Sequence, residues 1–492
     1  MSQKKGCLMG IITKLFPLGG NTAPTQNERF VFEIETSYSR QPFSVGTTAV
    51  ASQIDWGDGS VENFEAGVRA THAYTTPGTY IVYYRPTEYK IRSDFFSDSY
   101  PNMVTRYLTP LPQCVEADGT PSITLGHSYS NFHNALKQVP NDFFKNNTQI
   151  QNLLYFFAGS KLPAIPDGIF DGLVNLRNVG GLFWASNIQR ILYPPFTKEK
   201  HPNLTNIAGV FGGCGQLTDI CDYLFYTLDG VTNIDQVFYN TTNLESIPPH
   251  TFPGNNTNSI LSCRGAFNLS GIKSFEQEEA MFGNIGSSAA WDYLFAGCPR
   301  LTSIPENLFE GATMHSIING RNRIFQNSTA LETIPANLFN NAELPKDVAG
   351  AFEGCTALKE IPEGFLDKVL TADDEINVGG MFQGCTSLTT IPANLLDSIP
   401  TEKTLSKIEV GSMFKDCTGL TSIPEGFLST LAQTRCNIIS MNMMFDGCEN
   451  LTGNAPEYWN VVNQSSATPT GYDCFRGCTN LSNYDSIPEN WK

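Results

Sequence analysis

The sequence predicts a mainly β protein with short helical or 3₁₀ turns, in which a small β-sandwich precedes a solenoid of about thirteen coils. Two observations predict this fold. A motif built on Phe, Cys, Leu and Ile-Pro recurs at intervals of 25 to 32 residues over 132–492. Upstream, over 27–92, apolar and polar residues alternate as they do in half-buried strands. A period in this range is typical of solenoids, whose stability is a sum of interactions between neighbouring coils.

The repeated motif is clearest at Phe382, Cys385, Leu388 and Ile391, which follow one another at three-residue offsets. Such spacing favours a coil of short strand and turns over a long helix, whose apolar stripe alternates offsets of three and four. We therefore expect these four residues to form the interior of one coil. The phenylalanines that mark the thirteen units are Phe132, Phe157, Phe183, Phe211, Phe238, Phe267, Phe295, Phe325, Phe352, Phe382, Phe414, Phe445 and Phe475.

The chain has 13 cysteines, a count that raises the question of disulfides or metal binding. Ser328 and Thr241 replace cysteine in one slot of the repeat, so that slot is predicted to hold a small, slightly polar, buried side chain. Disulfide or metal use is the alternative, although no CxxC pair occurs. Many unpaired thiols also fit synthesis in a reducing cytosol. Seven cysteines share the slot, namely Cys214, Cys298, Cys355, Cys385, Cys417, Cys448 and Cys478.

Charge narrows the range of partners. The 492 residues carry a formal net charge of −17, which favours solubility. This balance argues against nucleic acid or an anionic membrane as the main partner. Outside the N-terminus, no apolar run approaches the roughly 20 residues needed to cross a bilayer, so no membrane span is predicted.

Residues 1–26 are predicted to be an uncleaved docking or anchoring peptide that a protein partner orders. Their apolar run is short and interrupted by Lys14, unlike that of an ordinary signal peptide. The alternatives are a helix that packs on the next domain of the same chain and an atypical export signal. The apolar residues have the spacing of an amphipathic helix and are Leu8, Ile11, Ile12, Leu15 and Phe16.

Residues 27–92 contain IDWGDGS at 54–60, followed by THAY at 71–74 and PGTY at 77–80. These pieces resemble the polycystic-kidney-disease (PKD) type of immunoglobulin-like β-sandwich. The resemblance implies a spacer or presentation module with Trp56 and Tyr80 in or near the core. Calcium binding by the turn is an alternative to simple Asx capping. The predicted turn residues are Asp55, Trp56, Gly57, Asp58 and Gly59.

Residues 93–131 lack the repeat and contain four prolines, so they are predicted to be a linker and the N-terminal cap of the solenoid over 132–492. Between repeats, the insertions 367–377 and 397–407 vary most in length and sequence. We expect them to emerge on one face of the solenoid, where a binding surface can vary without disturbing the stack.

The consensus MFxGCxxLxxIPxxLF resembles the BspA-type leucine-rich repeat, also described as a bacterial surface-protein repeat. Its pairing with a PKD-like module is similar to architectures in gut Bacteroides-type bacteria and their phages. The resemblance implies adhesion and recognition, with no cofactor and no shared catalytic site. The N-terminus departs from exported members of the family, since we expect no signal peptide there.

An enzyme is not predicted. Six histidines are scattered, and none has a metal spacing such as HExxH. There is no GxSxG elbow, P-loop or dinucleotide fingerprint. The sequence therefore predicts no catalytic residue, no cofactor and no metal site.

The predicted function is non-catalytic adhesion or recognition. The first interpretation is a phage fibre, decoration or receptor-binding protein on the virion surface, held by its N-terminus. The second is a bacterial cell-surface adhesin that binds host or glycan ligands, and an intracellular scaffold is a distant third. The outward ligand is protein or glycan, and a homo-oligomeric state is left open. The aromatic residues that either contact sugar or pack internally are Trp184, Trp291, Tyr458 and Trp459.

Overall fold

The computed structural model describes residues 29–93, 103–126, 133–248, 250–252, 260–275, 290–314, 322–342, 344–345, 348–371 and 374–492. Within them the chain is mainly β, with one α-helix, α1 (Asp367–Thr371). The strands of the N-terminal part are β1 (Phe30–Thr36), β2 (Gln41–Thr47), β3 (Ser52–Asp55), β4 (Val61–Phe64), β5 (Arg69–Tyr74), β6 (Gly78–Pro86), β7 (Lys90–Arg92), β8 (Val104–Tyr107) and β9 (Gln113–Val115).

The remaining strands are two or three residues long, as expected for the coils of a solenoid. They are β10 (Thr124–Leu125), β11 (Asn152–Leu153), β12 (Arg190–Ile191), β13 (Asp219–Ile220), β14 (Ser246–Ile247), β15 (Ser274–Phe275), β16 (Thr313–Met314), β17 (Leu344–Pro345), β18 (Glu375–Asn377), β19 (Thr404–Leu405), β20 (Lys407–Glu409), β21 (Arg435–Cys436) and β22 (Ile439–Ser440). The 3₁₀ helices described are Ser429–Gln433, Tyr458–Asn460, Tyr484–Ser486 and Glu489–Trp491.

The N-terminal part packs an antiparallel sheet in the order β4-β3-β6-β1-β8 against the β2-β5 pair. Alternation in β1 turns Phe30, Phe32 and Ile34 inward, and all three side chains are fully buried. Trp56 fills the middle, with its ring edge-on to the ring of Phe43. The sheet does not stop at residue 92, because β8 pairs with β1 and so belongs to it.

The sheet and the solenoid are joined by direct contacts. The Tyr107 amide donates to the carbonyl of Gln138 at 3.0 Å, and the Tyr107 ring lies 4.9 Å from that of Phe143. The Tyr107 hydroxyl is 3.0 Å from His133 Nε2. Burial lowers the pKa of His133 to about 4, so this histidine is neutral. The end of the sheet therefore serves as the first layer on which the solenoid stacks.

Strand pairing in the solenoid is parallel, as in β10-β11, β12-β13 and β18-β20-β22. Single bridges continue the ladder from Asn152 through Asn178, Asn206 and Asn233 to Ser262. Each coil thus bonds to the next through its backbone, and the predicted β-solenoid is confirmed.

A column of stacked phenylalanine rings runs through the interior. It joins twelve of the thirteen predicted markers, from Phe157 to Phe475, whereas Phe132 lies outside the described residues. Successive ring centroids are 5.1 to 5.9 Å apart, and successive ring planes are within 22° of parallel. An aromatic pair contributes about 0.5–1.5 kcal/mol beyond its buried area. The phenylalanine column therefore holds every described coil in register.

A second column explains the cysteines. The Cys385 thiol donates to the carbonyl of Phe352 in the preceding coil at 3.3 Å, and Cys417 donates to Phe382 at 3.0 Å. Ser328 makes the same bond to Phe295 at 3.0 Å. The cysteine slot lies three residues after each phenylalanine of the column, which we call the ladder phenylalanine. In these coils its side chain donates a hydrogen bond to the preceding coil, whereas Thr241 in the same slot donates to Phe238 of its own coil. All twelve cysteines in the described ranges are free, and all but Cys221 are buried.

The four predicted interior residues of one coil lie inside the stack. Phe382, Cys385 and Leu388 are fully buried, and Ile391 is 5% exposed. Gly384, between the first two, has a φ of 72°, in the left-handed region that glycine adopts without strain. The Gly-Cys pair of the consensus therefore combines a backbone requirement with a packing requirement.

Candidate functional site

The predicted turn of the N-terminal part is held by its own aspartates. The Gly57 amide donates to Asp55 Oδ1 at 3.1 Å, and the Ser60 amide donates to Asp58 Oδ1 at 3.0 Å. Trp56 is fully buried, whereas Asp58 and Gly59 are exposed. In the described residues no group of acidic, cysteine or histidine side chains has the arrangement of a metal site. These contacts are those of a capped turn.

His72 completes this turn. Its Nε2 lies 2.8 Å from Asp58 Oδ2, its Nδ1 lies 3.2 Å from Glu62 Oε1, and its ring stacks on Trp56 at 5.1 Å. Partial burial opposes ionisation of Asp58, but hydrogen bonds from Ser60 and His72 outweigh it and hold the pKa of that carboxyl below its usual value. The histidine is therefore a structural part of the turn.

Two further histidines are structural as well. His133 Nδ1 lies 2.6 Å from the carbonyl of Phe156, and His201 Nε2 lies 3.0 Å from the carbonyl of Phe170. Burial lowers the pKa of His201, so it too is neutral at pH 7. Both rings are buried and hydrogen-bonded to backbone carbonyls, so neither suggests acid–base catalysis.

The remaining predicted site residues are the candidate aromatic residues and the five docking residues. Trp291 and Tyr458 are buried, and Trp459 packs on Phe475 and Trp491, so these three aromatic residues serve the interior or its edge. The five docking residues in 1–26 lie outside the described part of the chain.

Trp184, like Trp459, is partly exposed. Its ring covers Gly209 and Gly212, where an added Cβ would come within 3.0 and 2.3 Å of the indole. It is parallel within 11° to the ring of Tyr239, with centroids 5.6 Å apart, and Tyr155 lies edge-on to it at 6.4 Å. We call Tyr155, Trp184 and Tyr239 the aromatic row, and all three side chains are partly exposed.

Beside this row is a depression that we call the central groove. It has a volume of about 560 Å³ and is formed by four successive coils, from Asp235 to Asn327. In each coil the residue after the ladder phenylalanine lies at the same position on the surface. In four successive coils this residue is Tyr239, which belongs to the aromatic row, and then Asn268, Ala296 and Gln326, which line the groove. The row and the groove therefore share one face of the solenoid.

Sequence variation at one position coincides with the groove. The third residue before the ladder phenylalanine is Gly or Ala in five other coils, at Gly180, Ala208, Ala349, Gly379 and Gly411, and is larger at Leu154, Asn442 and Tyr472. In four consecutive coils it is polar instead, and those residues are Asp235, Arg264, Asp292 and Asn322. Asp292 and Asn322 are fully buried. The side-chain nitrogen and oxygen of Asn322 have no hydrogen-bond partner within the described structure.

Backbone strain occurs in the groove, as it also does at Ser412, Asp416 and Met443 in other coils. Leu269 has a φ of 60° and Tyr293 a φ of 60°, although other coils often place glycine at the equivalent positions, as at Gly384 and Gly380. A left-handed conformation costs a side-chain-bearing residue about 1–2 kcal/mol. Leu269 is also 42% exposed, so burial does not offset this cost. Strain of this kind is typical of functional sites.

The polar groups of the groove fall into two classes. Four carboxamides, those of Gln236, Asn268, Gln326 and Asn327, make no side-chain hydrogen bond within the described ranges. Asparagines elsewhere are used between coils, as when Asn450 Nδ2 donates to the carbonyl of Thr418 at 2.8 Å. The groove amides are thus available to a ligand.

The charged groups of the groove, in contrast, are matched to one another. Asp235 Oδ1 accepts from the Arg264 amide at 2.7 Å, and its Oδ2 lies 3.7 Å from Arg264 Nη2. On the far side, Arg323 Nη1 donates to the Tyr293 hydroxyl at 2.8 Å, and its Nε donates to Glu353 at 3.3 Å. These pairs fix the walls without presenting an isolated charge.

The insertions expected to vary freely on one face are instead part of the stack. Residues 367–377 form α1, which buries Val369 and Leu370, and β18, which buries Ile376. In 397–407, Leu405 is buried and β19 pairs with β21. Each insertion therefore enlarges its coil with additional buried and strand-paired residues. The central groove is formed by other coils.

Comparisons with known proteins leave the family open. No family model matches the chain, and no curated protein matches it. Among solved structures, the Drosophila Toll–Spatzle complex matches at 16% identity and a TM-score of 0.20, over 69% of this chain and 42% of that one. The TLR13–ssRNA13 complex matches at 14% identity and a TM-score of 0.23, over 73% of this chain and 48% of that one. The chain thus spans less than half the length of either, and the fold is defined by its own columns of contacts.

Among the described residues, no helix is both long enough and apolar enough to cross a bilayer.

Proposed function

We propose that this protein is a non-catalytic recognition protein whose ligand surface is the face formed by the aromatic row and the central groove. One observation carries the proposal. Cysteines and histidines, the usual nucleophiles and bases, are mostly buried within the described structure, whereas the groove carboxamides are uncommitted and accessible. Hydrogen-bond groups without a titratable partner suit binding better than proton transfer.

We further propose that the chain is a BspA-type leucine-rich-repeat protein with a PKD-like spacer, located on a phage virion and held there by residues 1–26. The resemblance of the repeat consensus and of the 54–80 motifs supports this location. The free, buried thiols add support, because the fold needs no oxidising compartment.

Mass spectrometry of purified phage particles and of host envelope fractions tests the location. We expect the chain in the particles. Recovery only from the envelope would replace this proposal by a bacterial surface adhesin, and recovery only from the cytosol would favour an intracellular scaffold.

Deleting residues 2–20 tests the anchor. The truncated chain should fold, as measured by its thermal midpoint, but should not be incorporated into particles. Incorporation at the level of the full chain would overturn the docking role of this segment.

Recognition itself is tested separately, by binding of the fluorescently labelled full chain to intact host cells. Saturable binding is expected. Its absence, with the chain folded, would overturn the recognition function whatever the location of the protein.

A further inference from the structure

We propose that the central groove and the aromatic row bind a neutral oligosaccharide. This inference rests on the proposed recognition function and names the chemical class of its ligand. It follows from the uncommitted amides, the partly exposed aromatic rings and the balance of charge, which all occur on one face.

The amides supply the polar contacts. A carboxamide presents a donor and an acceptor side by side, so it can bond two neighbouring hydroxyl groups that each donate and accept. Gln236, Asn268, Gln326 and Asn327 provide four such groups from three of the four groove coils. Because coils repeat at roughly the 4.8 Å strand spacing, this series matches an extended chain of sugar rings better than a single compact ligand.

The aromatic row supplies the apolar contacts. One side of a pyranose ring presents only C–H groups, which pack on the face of an aromatic ring. Trp184 is held flat over Gly209 and Gly212, so its orientation is fixed before a ligand arrives. Tyr239 stands where the row meets the groove, next to Asn268 in the adjacent coil. A saccharide could therefore stack on the row and extend its hydroxyls into the groove.

Charge favours a neutral ligand. Arg264, a basic side chain that lines the groove, is matched by Asp235. The whole chain carries −17. An acidic saccharide such as a sulfated or uronic acid polymer would enter against this potential. A neutral one would meet no such barrier.

The polar lining favours a saccharide over a peptide. Peptide grooves usually gain affinity from apolar pockets for side chains or from an exposed strand edge. Leu269, Tyr293 and Ala296 are the apolar side chains that line this groove, beside seven residues with charged or amide side chains. Peptide binding is therefore treated as a competing outcome.

The test uses the purified full chain and a panel of soluble polysaccharides in affinity electrophoresis. The neutral probes are α-glucan, β-1,3-glucan, mannan and xylan, and the acidic probes are heparin and polygalacturonate. A random peptide array serves as the competing ligand class. We expect retardation by at least one neutral probe and none by the acidic probes.

A matched pair of variants locates the site. Gln326→Ala removes a groove amide, and Gln383→Ala removes the same residue type from the same position of a coil outside the groove; both side chains are partly exposed. We expect Gln326→Ala to weaken binding about tenfold, the effect of one lost hydrogen bond. Gln383→Ala should leave binding unchanged. Trp184→Phe should weaken binding while the thermal midpoint stays within a few degrees.

Equal loss in both glutamine variants, or no loss in either, would overturn the groove assignment. Binding to the peptide array without binding to any neutral polysaccharide would overturn the saccharide class but leave recognition intact. Binding to the acidic probes would overturn the charge argument. If the labelled chain also fails to bind host cells, the proposed function itself fails.

Discussion

Two regions of the solenoid share an interior and differ in their surface. In the coils of Phe352 and Phe382, the positions around the ladder phenylalanine are small, as at Ala349, Gly380 and Gly384. In the coils of Phe238 to Phe325, the same positions carry charged, amide and aromatic side chains. Ring stacking is equally regular in both regions, with centroids 5.8 Å apart at Phe352–Phe382 and 5.1 Å at Phe267–Phe295.

This difference shows that the interior and the surface of a coil vary independently. The phenylalanine column and the cysteine slot bear the stability, so side chains can occupy strained left-handed positions in the groove without loss of register. The slot itself also differs between regions. It is cysteine in five successive coils from Cys355 to Cys478, whereas the groove coils alternate Thr241, Ser270, Cys298 and Ser328.

Alkaline pH should affect the two regions unequally, and this is the largest effect that we expect. Burial raises the pKa of Cys355 and Cys417 to about 12, above the usual 9.0, and also raises that of Cys385. Unfolded thiols ionise first, so stability present below pH 9 is lost as pH rises from 9 towards 12. Each thiol should cost about 0.8 kcal/mol at pH 9.5, so the six buried thiols with a raised pKa in the coils from Phe352 to Phe475 should together cost about 5 kcal/mol.

Limited proteolysis at pH 8.0 and 9.5 measures this effect. Cleavage at pH 9.5 should begin in the coils from Phe352 to Phe475, and replacing Cys355, Cys385 and Cys417 by serine should suppress it. First cleavage in the groove coils would contradict the assignment of stability to the thiols.

Leu388→Asp should have the next largest effect. It buries an unpaired charge at a fully buried position, with a loss of about 3–5 kcal/mol. The thermal midpoint, followed by circular dichroism, should fall by many degrees. Leu388→Met, which keeps the volume, should cost less than about 1.5 kcal/mol. An unchanged midpoint in the aspartate variant would disprove the interior placement.

The cysteine slot can be tested with two small residues. Cys385→Ala removes the donor to the Phe352 carbonyl, whereas Cys385→Ser keeps it as Ser328 does. The alanine variant should be about 1 kcal/mol less stable than the serine variant in urea denaturation. The same midpoint for both would show that size alone decides the slot.

Exchanging residues between the two regions should change stability in opposite directions. Gly384→Leu places a side chain at a φ of 72° and should cost about 1–2 kcal/mol, although nothing lies closer than 3.6 Å to the added Cβ. Leu269→Gly relieves the same strain in the groove and should stabilise the chain by about 1 kcal/mol. If saccharide binding falls in Leu269→Gly while stability rises, strain has been retained for the ligand.

The interior could be predicted from the sequence because it repeats. Phe382, Cys385, Leu388 and Ile391 occupy one pattern in coil after coil, and only burial explains such regularity. The groove could not be predicted in this way, because it is made by departures from the pattern. The available signal was the run of polar residues at one position in four consecutive coils, namely Asp235, Arg264, Asp292 and Asn322.

For the insertions, sequence variation suggested a surface where the structure has interior residues. Their variation in length indicated a free surface, yet Ile376 and Leu405 are buried, because a longer coil needs additional apolar side chains to close its wall. The regular hydrogen-bond function of the cysteine slot was also not visible in the sequence. A thiol and a methyl group fill similar space, and only the position of the neighbouring carbonyl distinguishes them.

The contact between Tyr107 and the first coils has a mechanical consequence. Strand β8 is hydrogen-bonded to β1 on one side, and the Tyr107 backbone bonds to Gln138 on the other, so a load on the sheet passes straight into the solenoid backbone. The Tyr107 ring, seated against Phe143 and His133, resists twisting at that joint. The sheet and the first coils should therefore move together under load, so that the orientation of the groove face relative to the sheet stays the same.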